Sequence, residues 1–134
     1  ILVPVPANTA AEIADTALSL CTRDIDAICQ ISDNLTASAF SSIAIQAQKA
    51  KIPIFSFSSI QPLSGGTLAI ARDYYDGGRE AGLLAARVMR GESPAHIPFT
   101  NVKTTRLVVN LARARELGIA IPESIINRAD EVIE

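Results

Sequence analysis

Asp33 and Asn34 stand where the apolar run Ile25–Ile31 gives way, through Ser32, to a helical pattern. A carboxylate beside a carboxamide offers acceptors and donors for hydrogen bonding, which suits recognition of a polar or cationic solute. The same residue types cap helices, so the junction by itself leaves both roles open. Ser58 and Ser59 close a second apolar run, Ile54–Phe57, and Asn8 follows a third, Ile1–Val5. Gly65-Gly66 adds a stretch of backbone that a bound molecule could approach closely.

Other chemistries find little support. The many serines lack a base, because the sole histidine, His96, lies in Pro-Ala-His-Ile-Pro, which reads as a surface loop. The nucleophile elbow G-x-S-x-G is missing, as are the phosphate-binding patterns G-x-x-x-x-G-K-[ST] and G-x-G-x-x-G. Asp73 and Asp76 could pass for paired carboxylates, but acids are favoured at a helix start anyway. Tyr74-Tyr75 could stack on a ligand, or divide between core and solvent. Cys21 and Cys29 are too few for a disulfide scaffold and read as buried free thiols acting as small hydrophobes, with a disulfide between them the lesser alternative. No metal site and no cofactor are expected.

The elements that must hold these residues follow from periodicity. Ile1–Val5, 25–31, 52–57 and 106–110 read as strands. Ile13, Ala17, Leu20 and Cys21 recur at helical intervals across 10–22, where Thr9 and Glu12 have capping-box spacing. Phe40, Ile43, Ala44 and Ala47 mark a second helix across 36–50. A third runs from about Tyr74 to Arg90, with Gly91 placed to end it. Two short helices are expected at 111–117 and after Pro122. Strands separated by such helices imply βαβ units, a parallel sheet and a three-layer α/β/α fold. Right-handed crossovers bring successive strand ends to one edge. That edge would collect Asn8, Asp33, Asn34, Ser58 and Ser59, where open α/β sheets bind their ligands.

Composition narrows the function classes. The 134 residues amount to one domain's worth of chain. With 49% hydrophobic residues but only 4% aromatics, aliphatic and Ala side chains must fill the core. A net charge of −2, spread without a Lys/Arg block, gives no footprint of a nucleic-acid binder. No apolar run approaches a membrane span. The chain opens on a strand-like segment without an initiator Met or a leader, so it is expected to be a piece of a longer protein.

The words IDAICQISDN (25–34), KIPIFSF (51–57), GTLAIARDYY (66–75), GESP (91–94) and Val109-Asn110-Leu111, with Ala114 to Pro122, keep a recognisable order. This order resembles the substrate-binding proteins of bacterial ABC transporters, in particular the branch that binds aromatic amino acids and related small solutes. The resemblance covers most of the chain. It implies a lobe of the type I periplasmic-binding-protein fold, in a family about twice this length whose two lobes are joined by crossing strands.

On that resemblance, 1–64 would be βα units of the second lobe. Residues 65–98 would cross the hinge into the first lobe, and 99–134 would return. The protein would be periplasmic or extracellular and membrane-associated. It would close two lobes around a small solute, amino acids among the candidates, and deliver it to permease subunits without making or breaking a bond. The expected ligand contacts are Asn8, Asp33, Asn34, Ser58, Ser59, Gly65 and Gly66. Without its first lobe, the excursion would leave an apolar face that a second copy could cover through 67–90. An alternative is the effector-binding domain of a transcriptional repressor, which shares the two-lobed architecture and would need a DNA-binding headpiece upstream. A flavodoxin-like enzyme is a third, disfavoured because no phosphate loop appears.

Overall fold

A computed structural model describes residues 1–134. Five strands form one sheet in the order β1 (Ile28–Cys29), β2 (Ile54–Ser56), β3 (Leu68–Arg72), β4 (Thr105–Asn110) and β5 (Glu131–Ile133). β1, β2 and β3 run parallel, as do β4 and β5. The sheet is not wholly parallel as expected: β3 and β4 are antiparallel, paired from Leu68↔Val109 to Arg72↔Thr105. The chain is of the α/β class.

Helix α1 (Ile13–Cys21) and helix α3 (Phe40–Ala50) pack together, and α3 follows the five-residue helix α2 (Asn34–Ser38). Ile13 and Ala17 of α1 and Phe40, Ile43, Ala44 and Ala47 of α3 share one core with Ile28 and Ile54 of the strands. These are the positions that period-3.6 and period-2 patterning assign to a buried face. Ala69, Ala71 and Val108 continue the buried surface along β3 and β4. The alternate positions Cys29, Phe55 and Ile70 point to the other face of the sheet, where all three are exposed.

α3 ends where Lys51 adopts a left-handed conformation, φ 56°. The Ile52 amide then returns to the Ala47 carbonyl, 2.9 Å, and the chain enters β2. After a 3-10 turn at Gln61–Ser64 and β3 comes the longest helix, α4 (Tyr74–Met89), which buries none of its residues. α5 (Leu111–Glu116) and α6 (Glu123–Ile126) complete the fold, with Pro122 preceding α6 as its cap.

Two expectations fail at the ends. Ile1–Val5 forms no strand. Pro4 and Pro6 lack amide protons, and β1 is only two residues long, so there is little ladder to join. Conversely, Glu131–Ile133 is a strand that local pattern did not reveal. Asp130 sets its register: its amide donates to the Leu107 carbonyl, 2.9 Å, and its carboxylate accepts from the Leu107 amide, 2.7 Å.

Candidate functional site

β1 and β2 lie side by side, Ile28 against Ile54 and Cys29 against Phe55, so their carboxyl ends emerge together. The Gln30 amide donates to the Phe55 carbonyl, 3.0 Å, and carries the pairing one step beyond the strand. Residues 32–34 and 57–59 are therefore neighbours at one edge. The turn at Ala10–Glu12, just after Asn8, packs against α2 and brings the Asn8 segment to the same side. Asp33 and Asn34 thus follow β1, and Ser58 and Ser59 follow β2, at the carboxyl edge of the sheet, with the turn after Asn8 packed on α2.

At the centre of this edge Asp33 is the N-cap of α2. Its Oδ1 accepts from the amides of Leu35, 2.7 Å, and Thr36, 3.0 Å. Its Oδ2 accepts from the Thr36 hydroxyl. The Thr36 hydroxyl foremost, then the Thr36 and Leu35 amides, hold the carboxyl below its usual range and keep it ionised. A carboxylate offers about four lone-pair sites, so three donors leave one on Oδ2. Capping and solute recognition are therefore compatible in one side chain. Asn34 is exposed, and Ser58 and Ser59 are half-buried.

Asn8 plays a further local part. Its backbone amide donates to Glu12 Oε2, 3.0 Å, and this bond foremost lowers the Glu12 carboxyl. The reach-back half of the capping box therefore lands one residue before Thr9. Thr9 makes no side-chain cap bond.

Gly65 and Gly66 do not join this edge. Gly65, φ +105°, packs where an added Cβ would lie 3.0 Å from Ala44 Cβ and 3.2 Å from Arg113 Nη2. Gly66 packs on the Gln61–Pro62 backbone, 3.2 Å from a would-be Cβ. Here the glycines serve close internal packing. The buried Arg113 reads the same turn: its Nε donates to the Gly65 carbonyl, 3.1 Å, and its Nη1 pairs with Glu116, 2.8 Å. A shallow hollow of about 320 Å³ lies over this clip, on a different part of the molecule.

The larger cleft, about 780 Å³, opens beside the strand ends. Ser32, Phe57, Ile70, Arg72, Tyr74 and Val102 are among the residues lining it. None of the five edge residues lines this cleft, but Ser32 adjoins Asp33 and Phe57 adjoins Ser58. Phe57 is 52% exposed and Ile70 58%, so the cleft offers open apolar surface among polar and charged groups. Arg72 places a guanidinium at the rim, where Nη1 donates to Asn101 Oδ1, 3.0 Å. Sequence reading missed this wall because Phe57 and Ile70 look like ordinary strand residues. Their only signal was an apolar residue directly before the polar strand end. Asp73, also in the wall, caps α4 through the Tyr75 and Asp76 amides, the role its place at a helix start suggested.

No group of three or more His, Cys, Asp or Glu side chains is arranged to hold a metal ion. Cys21 and Cys29 are free thiols; Cys29 is exposed rather than buried, and burial pushes the Cys21 thiol upward. No helix is long and apolar enough to cross a membrane.

Comparison with known proteins bears on the fold and the family. A tyrosine-binding protein of Clostridioides difficile (strain R20291) is 31% identical over 103 residues, covering 77% of this chain and 30% of that protein. An ABC domain from Streptococcus pneumonia, solved in complex with L-Trp, superposes with a TM-score of 0.82 at 33% identity, covering 95% of this chain and 44% of that one. A conserved domain protein from Vibrio cholerae gives a TM-score of 0.84 at 28% identity, covering 94% and 42%. The chain thus spans under half the length of these relatives. The model of the ABC transporter substrate binding protein family matches residues 1–133. The chain belongs to that family, whose members bind small solutes.

Proposed function

We propose that this chain captures an amino acid with an apolar side chain, as the solute-binding component of an ABC transporter outside the cytoplasm. One observation carries the reading. The junction of β1 with α2 holds an ionised carboxylate with one unused lone pair beside a cleft that exposes the apolar side chains of Phe57 and Ile70. The free acceptor on Asp33 receives the solute's ammonium group. Asn34 and Ser58 add neutral polar contacts. The wall of Phe57, Ile70, Tyr74 and Val102 receives the side chain, and Arg72 at the rim attracts the carboxylate. The tyrosine-binding relative and the L-Trp complex support this solute class.

The two-lobed mechanism belongs to the same proposal. The elements through β3 and from β4 onward belong to one lobe, since they share one sheet. The excursion expected at 65–98 therefore narrows to α4 and the segment that follows it, which reach toward the other lobe. β3 supports this: it pairs with β2 only at its start, stays clasped to β4 throughout, and leads into a helix without a buried residue. Closure of the first lobe over the cleft would exclude water before delivery to a permease. Calorimetric titration with L-tyrosine and L-tryptophan tests the reading. Binding that is weakened by Asp33→Ala and by Phe57→Ala is expected. Binding that neither substitution changes would place the solute elsewhere.

A further inference from the structure

We propose that Gln30 is a positioning residue for solute binding, setting the direction of the Asp33 carboxylate through the hydroxyl of Thr36. The inference rests on the role given to Asp33 above. Gln30 follows β1 and is 5% exposed. Its Nε2 donates to Thr36 Oγ1, 2.9 Å. That hydroxyl contacts Asp33 Oδ2 and lies 3.3 Å from the Ile31 carbonyl.

A threonine hydroxyl carries one proton. With the amide donating into its oxygen, the proton is free for an acceptor, and the carboxylate is the stronger one. The reversed amide would turn a carbonyl oxygen toward Thr36 and draw the proton away. Thr36 and Asp33 would then face each other as two oxygens with no proton between them. The contact with Asp33 therefore fixes which way the amide points.

A second observation concerns the other end of the amide. Gln30 Oε1 is buried and has no hydrogen-bond partner. An unpaired buried carbonyl oxygen destabilises a fold, whereas an apolar side chain of similar volume would not. Stability therefore does not account for an amide at this position, and aiming Thr36 does. With Thr36 holding one side of Oδ2, the remaining lone pair faces a fixed direction toward an incoming ammonium group. The elements packed on α2 bring no competing cation. The Ala10–Glu12 turn carries Glu12, engaged by Asn8, and α3 carries only Lys49, near its far end.

The test uses Gln30→Leu and Thr36→Val, with Thr36→Ser as the conservative variant. Three quantities are read: the melting temperature, the titration of the Asp33 carboxyl by carbon-detected NMR, and calorimetric affinity for L-tyrosine and L-tryptophan. Gln30→Leu is expected to melt no lower than the native protein. Asp33 in it should titrate at higher pH, with affinity down about three- to tenfold, the scale of one net hydrogen bond. Thr36→Val, which removes the hydroxyl itself, should move titration and affinity in the same direction and at least as far, and Thr36→Ser should stay near native in both. A native Asp33 titration in Gln30→Leu overturns the relay. A shifted titration with unchanged affinity overturns its part in binding. If the native protein binds neither amino acid while the titration still shifts, the relay stands and the amino-acid reading falls.

Discussion

Asp33 spends three of its acceptor positions on its own turn, and that local commitment is what orders it for a solute. Replacing it with Ala should therefore lower the melting temperature through loss of the cap. It should also weaken amino-acid binding by about tenfold or more, since a bond to a charged group is lost; calorimetry on Asp33→Ala reads this directly. The carboxyl also predicts a pH dependence. Its native pKa is depressed, so its stabilisation is present above the unfolded value, near pH 4, and fades as pH falls through the native one. Urea unfolding of the native protein and Asp33→Asn should thus differ at pH 7 and converge toward pH 2. A gap that stays constant with pH would show that the charge contributes nothing. The Asp33-Asn34 edge was legible because strand ends in a βαβ pattern fall together by handedness alone. Gln30 was not, since a glutamine inside an apolar run looks like an interruption until its amide is seen against Thr36.

At the scale of elements, the joints rest on a few buried polar groups. Asn110, ending β4, accepts from the Arg113 amide, 2.7 Å, and donates to the Pro62 carbonyl, 2.7 Å. Arg113 then closes on Gly65 and reaches the Ala44 carbonyl, 3.4 Å. Gly65→Ala would force a side chain into a left-handed backbone and against two neighbours. A loss of about 1–3 kcal/mol is expected from strain and overpacking, measurable by chemical denaturation; an unchanged midpoint would mean that the Gly65–Arg113 clip does not hold the turn. Lys51 is the opposite case, a non-glycine residue already left-handed at a helix end. Lys51→Gly should raise stability by up to about 1 kcal/mol, and a fall in the denaturation midpoint would contradict this. The helices and the strands β1, β2 and β4 could be read from periodicity, because burial imposes it; β3 is a short and uniformly apolar run whose pattern does not declare it. Two further features could not. Ile1–Val5 has strand composition without a partner, whereas Glu131–Ile133 becomes a strand only because β4 offers it an edge. Pairing is a tertiary fact that local pattern does not contain.

The whole molecule is well packed around α1, α3 and the inner strands, and open around α4. α4 buries none of its residues, with Leu83 57% and Met89 87% exposed. Phe55 and Ile70 are exposed on the uncovered face of the sheet. A helix of this length is marginal in water unless one face is packed, so α4 needs a surface to lie against. In a two-lobed protein that surface is the other lobe. For this chain alone, a second copy is the available one, because identical patches related by a two-fold axis satisfy each other. The 134-residue chain is therefore expected to dimerise through α4; residues 67–72, first expected to share that face, are instead held within the sheet as β3. Leu83→Glu, on the exposed side of α4, should return it to monomer and lower its helix content. Sedimentation velocity across a dilution series, with circular dichroism on the same samples, checks both. A native chain that stays monomeric at every concentration with α4 fully helical would show that the helix stands without a partner, and the proposed reach of α4 toward the first lobe would lose its main support.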